Sequence, residues 1–163
     1  MSDRGLVTNG GRTLMARLLA GEDVGALAWF AIGRGDWADK QAPPSESVDA
    51  TALADETARK RVERYAYLVP DVAGSIVYNG VTYAETQTPT PIVAFYATLT
   101  ESEAVGHQIC EEGLFGGTVV TTASPYALPG EVSSPGVLYW VKHRPSATKG
   151  AADSITLRAI FGR

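Results

Sequence analysis

The sequence of 163 residues has one cysteine, Cys110, and an excess of four negative charges. A single cysteine excludes an internal disulfide framework, and the negative balance disfavours nonspecific binding to nucleic acid or to anionic membranes. No apolar run is long enough to cross a bilayer, and the opening "MSDRGLVTNGGR" lacks the layout of a secretory signal. We therefore expect a protein that is made in the cytoplasm without export and has neither nucleic acid nor membrane as a partner.

Reactive side chains are also few, and their spacing does not bring them together. In "GHQICEE", His107 and Cys110 lie three positions apart, so a strand would place them on opposite faces. Glu111 and Glu112 are adjacent and likewise point apart, unlike the paired carboxylates of a glycosidase. One cysteine and two histidines make no zinc site unless carboxylates join them, and "GLFGG" lacks the lysine and the strand–loop–helix setting of a phosphate-binding loop. We expect no enzymatic activity, no metal and no cofactor, with Cys110 as a buried structural residue.

Two segments predict helices. Residues 8–20 predict the first, with Thr8 or Asn9 as its cap and Gly21 as its stop. A second, short helix is predicted from Asp49 through "DATALADETARKR". The apolar residues of the first helix recur at helical spacing and predict the face that packs on the core: Leu14, Met15, Leu18 and Leu19.

Strand patterns dominate the rest of the sequence. "ALAWFAIG" is a continuous apolar run, typical of a strand buried on both faces. "VERYAYLV", "PIVAFYATLT", "GVLYWVKH" and "DSITLRAIF" are further strands, and Asn79-Gly80 within "SIVYNGVTYAE" predicts a β-hairpin. The pattern therefore predicts a mainly β (α+β) fold. We expect one antiparallel β-sandwich-like domain, residues 1–163, with an N-terminal helix and one further short helix.

The tripeptide Arg34-Gly35-Asp36 is a string that many cell-adhesion ligands present to integrins. Here it follows the buried strand directly and opens a loop rich in turn formers, "RGDWADKQAPPSES". Gly33 and Gly35 permit positive φ, and Asp36 can accept backbone hydrogen bonds in an Asx turn. We interpret the tripeptide as a turn, after which Trp37 folds back as a cover or faces a partner.

Four segments follow one another in a specific order. They are the helix "LVTNGGRTLMARLLAG", the strand and turn "WFAIGRGDW", the run "FYATLTESEAVGHQICEEGLFGG", and the closing pair "GVLYWVKHRP" and "KGAADSITLRAIF". In this order they resemble the N-terminal, baseplate-attaching domains of bacteriophage tail-fibre and tail-collar proteins. Leu53, Glu56 and Arg59 are similar to an L-x-x-E-x-x-R helix of that family. The most specific likeness is to its I-x-E-x-GLF run, formed here by Ile109, Glu111, Gly113, Leu114 and Phe115.

The resemblance implies a structural protein of the virion tail, assembled in the host cytoplasm. Its expected partners are other tail, baseplate or fibre proteins, and a homo-oligomer is expected in the assembled particle. A fibre protein would continue into a shaft beyond Arg163, so we expect an adaptor or a baseplate component.

Contacts with neighbouring subunits are expected from aromatic residues and from the basic cluster between Arg59 and Arg64, which we interpret as a solvated or subunit-contacting face. The candidate interface residues are Trp37, Arg59, Arg61, Arg64, Tyr126 and Tyr139.

Two other functions stay open from the sequence. A host-surface carbohydrate could stack on an aromatic platform, although alternating aromatics are more often packed within a sheet. A hydrolase would have to use Glu111, Glu112 or His107. The residues of the aromatic platform would be Tyr78, Tyr83, Tyr96 and Trp140.

Overall fold

Residues 5–162, which the computed structural model describes, form two antiparallel β-sheets, one α-helix and one 3₁₀ turn. The helix α1 spans Asn9–Leu19 and the turn spans Pro129–Glu131. The predicted mainly β fold with an N-terminal helix is confirmed. Residues 1–4 and 163, part of the predicted domain, lie outside the described residues, and no helix among those described is long and apolar enough to span a membrane.

The larger sheet, sheet A, has six strands. Its strands are β1 (Leu6–Val7), β2 (Leu27–Gly33), β3 (Glu56–Arg61), β8 (Gln108–Thr121), β9 (Tyr126–Ala127) and β10 (Val132–Thr148). Their order across the sheet is β1-β10-β8-β2-β3-β9, and every neighbouring pair is antiparallel. The long strands β8 and β10 pair along most of their length, and β1 and β2 pair with their outer edges.

The smaller sheet, sheet B, has five strands. They are β4 (Arg64–Pro70), β5 (Ile76–Tyr78), β6 (Val81–Thr86), β7 (Val93–Leu99) and β11 (Ile155–Phe161). Their order is β11-β7-β4-β6-β5, again all antiparallel. The predicted Asn79-Gly80 hairpin joins β5 to β6, and both turn residues have positive φ, 53° and 75°, as a two-residue hairpin turn requires.

The strand β2 is buried on both faces, as its unbroken apolar run predicts. Phe30 and Ile32 pack between the two sheets, in a cluster that includes Leu157 of sheet B. Trp29 and Ala31 point to the other side and join a second cluster on the outer face of sheet A. Sheet A therefore has two apolar faces, and the outer face needs a cover of its own.

The helix predicted from Asp49 does not form; β3 occupies its second half. The cause is tertiary, because β3 forms backbone ladders with β2 on one side and β9 on the other. Glu56 and Arg59 of the proposed L-x-x-E-x-x-R helix still pair, with Arg59 Nε 2.6 Å from a Glu56 oxygen. The register of β3 is irregular between these two residues, which turns both side chains to the same face of the strand. They therefore pair within a strand instead of a helical turn.

The helix α1 begins where the sequence predicts, because the Thr8 hydroxyl accepts a hydrogen bond from Gly11 N–H at 2.9 Å. Its packing face is narrower than predicted. Leu14 is buried, but Met15 and Leu18 are each 40% exposed and Leu19 is 83% exposed. The helix approaches β10 through Gly11 instead, where a Cβ atom would lie 2.8 Å from Tyr139 Cα.

We expect Gly11→Ala to lower the free energy of unfolding by about 2 kcal/mol, because the added methyl group meets the Tyr139 backbone, which cannot rotate away. Gly10→Ala is the matched control. Its Cβ would meet the Val137 side chain at 3.2 Å, so the change should stay below about 1 kcal/mol. Urea unfolding of both variants measures the difference, and equal stability of the two would contradict a backbone contact at Gly11.

Candidate assembly surface

Glu111 fixes the loop that covers the outer face of sheet A. Its carboxylate is 1% exposed and accepts three backbone hydrogen bonds, from the N–H groups of Gly35, Ala54 and Asp55 at 3.1, 3.0 and 2.8 Å. Both ends of the segment 34–55 are thereby held to the centre of β8. The sequence identifies Glu111 only as part of the I-x-E-x-GLF run. The structure shows that its carboxylate is a buried hydrogen-bond acceptor that holds a loop.

The adjacent Glu112 points to the opposite face, as predicted for neighbours on a strand. It is 4% exposed and accepts a hydrogen bond from Arg144 at 2.8 Å. Cys110 is fully buried, also as predicted. Within residues 5–162 no group of three or more His, Cys, Asp or Glu side chains could hold a metal ion.

The Arg-Gly-Asp tripeptide is a turn at the end of β2, as predicted. Gly35 has a φ of +64°, and the Trp37 ring folds back so closely that a Cβ on Gly35 would lie 2.5 Å from it. Arg34 forms an ion pair with Asp55 at 2.8 Å. The Asx-type hydrogen bond expected of Asp36 occurs instead at Asp39, whose carboxylate accepts from the N–H of residue 41.

Trp37 covers the loop and contacts the adjoining strand. Its ring centroid lies 4.5 Å from that of His143 on β10, and Lys40 Nζ lies 5.6 Å from the centroid of the Trp37 ring. His143 also contacts the Pro44 carbonyl oxygen through Nδ1, at 2.8 Å. The structure shows Trp37 as a cover of the loop, and its role at an interface stays a prediction.

The basic cluster between Arg59 and Arg64 is divided between the interior and the surface. Arg59 and Lys60 are 2% and 3% exposed, so the expectation of a solvated face is wrong for these two residues. Arg59 stacks on Phe115 and Lys60 binds Glu103 at 2.8 Å, because buried cations require anionic or aromatic partners.

The remaining predicted interface residues differ in accessibility. Arg61 and Arg64 are exposed, and Tyr126 is half-buried. Tyr139 is 4% exposed, so its expected position on the surface is also wrong: a register irregularity in β10 turns it toward the core, where it contacts Phe161. The interface role of the accessible residues stays a prediction.

The aromatic residues considered for a carbohydrate platform are buried. Each is at most 9% exposed, so none offers an open ring face to a sugar. The structure therefore does not favour the carbohydrate-binding alternative. The four residues are Tyr78, Tyr83, Tyr96 and Trp140.

An apolar groove of about 510 Å³ is lined by residues of β2 in sheet A and of β4 and β7 in sheet B. Two aromatic side chains of β4 project into it from one face of that strand, Tyr65 and Tyr67. Tyr65 is 59% exposed, a high value for a ring on the inward-facing side of a sandwich. The other apolar residues that line this groove, hereafter the apolar groove, are Ala26, Leu27, Val62, Val93 and Phe95.

A chain of aromatic contacts runs from the apolar groove into the core. Tyr65 lies 6.2 Å from Phe95, Phe95 lies 5.9 Å from Phe161, and Phe161 lies 5.0 Å from Tyr139, all measured between ring centroids. These rings are fixed by their neighbours, so the exposed Tyr65 loses little conformational freedom if another protein covers it. The sequence predicts that Tyr65 lies on a strand but does not indicate that its ring is exposed to solvent.

Comparison with models of protein families gives a match that covers nearly the whole chain. A model of the family described as "Baseplate wedge 3 tail fiber network component" matches residues 5–161. None of the curated proteins compared with the chain matches it. The match extends over all four segments on which the resemblance to phage tail proteins rests, and that resemblance is confirmed.

Proposed function

Because this chain belongs to the family of baseplate wedge 3 tail fiber network components, we propose that it is a non-enzymatic adaptor of the bacteriophage tail. Its action is to bury the apolar groove against a neighbouring protein of the tail, and so to join baseplate and fibre components. Since tails are symmetric assemblies, the proposal includes a homo-oligomer of this chain in the assembled particle.

The exposed aromatic edge of the groove supports this function best. Tyr is enriched at the centres of protein interfaces, where burial of a few anchors supplies most of the binding free energy. Tyr65 and Tyr67 lie edge to face with ring centroids 5.9 Å apart, and the exposed Arg64 lies beside them. A partner with apolar side chains would cover these rings while Arg64 and Glu63 stay at the rim.

We expect Tyr65→Asp to reduce incorporation of the chain into tails by more than about tenfold, because it introduces a charge into the proposed apolar contact. Particles are produced with the variant as the only source of the chain, purified, and analysed by quantitative mass spectrometry. Since Tyr65 is 59% exposed, the isolated variant should unfold at close to the parental temperature.

Val72→Asp is the matched control, since Val72 is fully exposed beyond the end of β4, outside the groove lining. It introduces the same charge just after the same strand and should leave incorporation unchanged. Parental incorporation of the Tyr65→Asp variant would rule out the groove as the assembly surface.

A further inference from the structure

The helix α1 leaves an apolar side uncovered. Met15 and Leu18 are each 40% exposed and Leu19 is 83% exposed, although they belong to a helix of 11 residues that packs on β10. Arg12, Met15 and Leu19 recur at spacings of three and four residues, so they lie along one side of the helix. This side contributes little to the core of the chain and is accessible to another protein.

A cavity of about 420 Å³ adjoins the apolar side of α1. Met15 forms part of its wall, and none of the described residues that line it is charged. Strands of both sheets supply the rest of the wall, including Val7, Trp140, Ile160 and Phe161. Through Met15 the cavity is continuous with the exposed side of the helix, so an apolar side chain that reaches it from outside would meet apolar atoms.

Opposite charges lie at the two ends of the helix. Arg12 is in the first turn of α1, and Asp23 follows four residues after its last residue; both are exposed. Glu22 is paired with Arg17 at 2.7 Å. Neither Arg12 nor Asp23 forms an ion pair with any of residues 5–162. The surface therefore runs from a positive charge, through apolar side chains, to a negative charge.

This order of charges makes the surface complementary to itself. Across a two-fold axis, residue i of one copy contacts residue j of the other, and j contacts i. Two antiparallel copies of α1 that meet near residue 17 would place Met15 against Leu19 of the other copy, because residues equally far from the centre of the contact face one another. Arg12 would then lie near residues 22 and 23 and near the negative end of the helix dipole. A parallel pair would instead bring Arg12 against Arg12.

We propose that α1 is the contact between two copies of this chain, which pair antiparallel about a two-fold axis. Leu19 of each copy packs against Met15 of the other, beside the cavity, and Arg12 of each copy pairs with Asp23 of the other. The inference rests on the proposed function only in placing this pair within the tail. The contact is small, and small interfaces are weak and transient in solution.

Analytical ultracentrifugation of the full chain measures the pairing. We expect the average mass to rise from one copy toward two between about 5 and about 500 μM. Leu19→Asp should weaken self-association at least about tenfold, because it introduces a charge into the apolar contact. Since Leu19 is 83% exposed, this variant should unfold at close to the parental temperature. Val72→Asp, the same charge at a fully exposed residue away from α1, should leave self-association unchanged.

Reversal of single charges provides the second arm. Arg12→Glu and Asp23→Arg should each weaken self-association about fivefold, because each brings like charges together at both ends of the contact. An equimolar mixture of the two variants should pair as strongly as the parent, because every charge in the mixed pair meets an opposite one. The proposal is overturned if the parent stays a monomer over this range, if Leu19→Asp associates as strongly as the parent, or if the mixture pairs no better than either variant alone.

The test of α1 is independent of the test of the apolar groove. Tyr65→Asp should self-associate as the parent does, because Tyr65 lies outside α1 and outside the wall of the cavity. Self-association of the parent together with parental incorporation of Tyr65→Asp would refute only the apolar groove as the assembly surface. A monomeric parent whose Tyr65→Asp variant is lost from tails would refute only the pairing through α1.

Discussion

Glu111→Ala is expected to lower the free energy of unfolding by about 4 kcal/mol, which is a large part of the 5–15 kcal/mol of a typical domain (about 0.05–0.15 kcal/mol per residue). The substitution leaves the N–H groups of Gly35, Ala54 and Asp55 without their acceptor. Each buried donor without a partner costs about 1–3 kcal/mol. Three such donors would cost about 3–9 kcal/mol in total. Water can reach the two part-buried donors, Ala54 and Asp55 N–H, more easily than Gly35 N–H, so the expected loss lies in the lower half of that range.

Urea unfolding followed by tryptophan fluorescence measures the loss, since Trp37 lies on the loop that Glu111 holds. Glu111→Gln should show about half the effect, because its amide retains one acceptor oxygen but turns an NH₂ group toward backbone donors. Glu101→Ala removes a carboxylate from an exposed turn and should change stability by less than about 0.5 kcal/mol. A Glu111→Ala variant as stable as Glu101→Ala would show that the three hydrogen bonds do not hold the loop.

The parts of the fold that depend on local pattern could be predicted from the sequence. The apolar run of β2, the Thr8 cap of α1 and the Asn79-Gly80 hairpin each follow from neighbouring residues. The opposite orientation of Glu111 and Glu112 follows from strand alternation alone. These features do not depend on contacts with residues that are distant in sequence.

The errors in prediction have a common cause: partners that are distant in sequence. The charged residues from Glu56 to Arg61 have the pattern of a helix, but their backbone pairs with β2 and β9. The cationic side chains of this segment are buried against Glu103 and Phe115. For the same reason Arg59 is buried instead of forming part of a surface patch. Charge in a sequence indicates exposure only where no buried partner is available.

The apolar groove could not be predicted because its lining comes from both sheets, and their relative position is not a local property of the sequence. "VERYAYLV" shows that Tyr65 and Tyr67 share a face of a strand. A shared face is typical of a core, and only the relative position of the two sheets leaves Tyr65 exposed. The position of β11 at the edge of sheet B could not be predicted for a similar reason, since strand order within a sheet is not a local property of the sequence.

We expect Lys60→Met to lower the free energy of unfolding by about 3 kcal/mol at about pH 7, because it leaves Glu103 without its cation in a largely buried position. Lys60 Nζ lies 2.8 Å from both Glu103 oxygens and 3.7 Å from the more exposed Glu63. Arg61→Met, the same change at an exposed neighbour on β3, should cost less than about 0.5 kcal/mol.

The pH dependence of this loss distinguishes a charge effect from a packing effect. Burial raises the pKa of Glu103, but hydrogen bonds from Lys60 and from Thr100 N–H outweigh it, so that the pKa lies below its ordinary value of 4.5. A carboxylate with a lowered pKa in the folded state stabilises the protein above its unfolded pKa, and that stabilisation is lost as the pH falls through the folded value. In Lys60→Met, the effect of burial is no longer opposed by Lys60, and protonation of Glu103 relieves the uncompensated charge.

The difference between Lys60→Met and the parent should therefore shrink as the pH is lowered from about 7 to about 4, as measured by urea unfolding at each pH. Adding Glu103→Gln to Lys60→Met should restore part of the stability at about pH 7, because the double variant buries no unpaired charge. A loss that is the same at both pH values and unchanged in the double variant would assign the role of Lys60 to packing of its aliphatic chain. The buried pair would then contribute nothing specific to the attachment of β3.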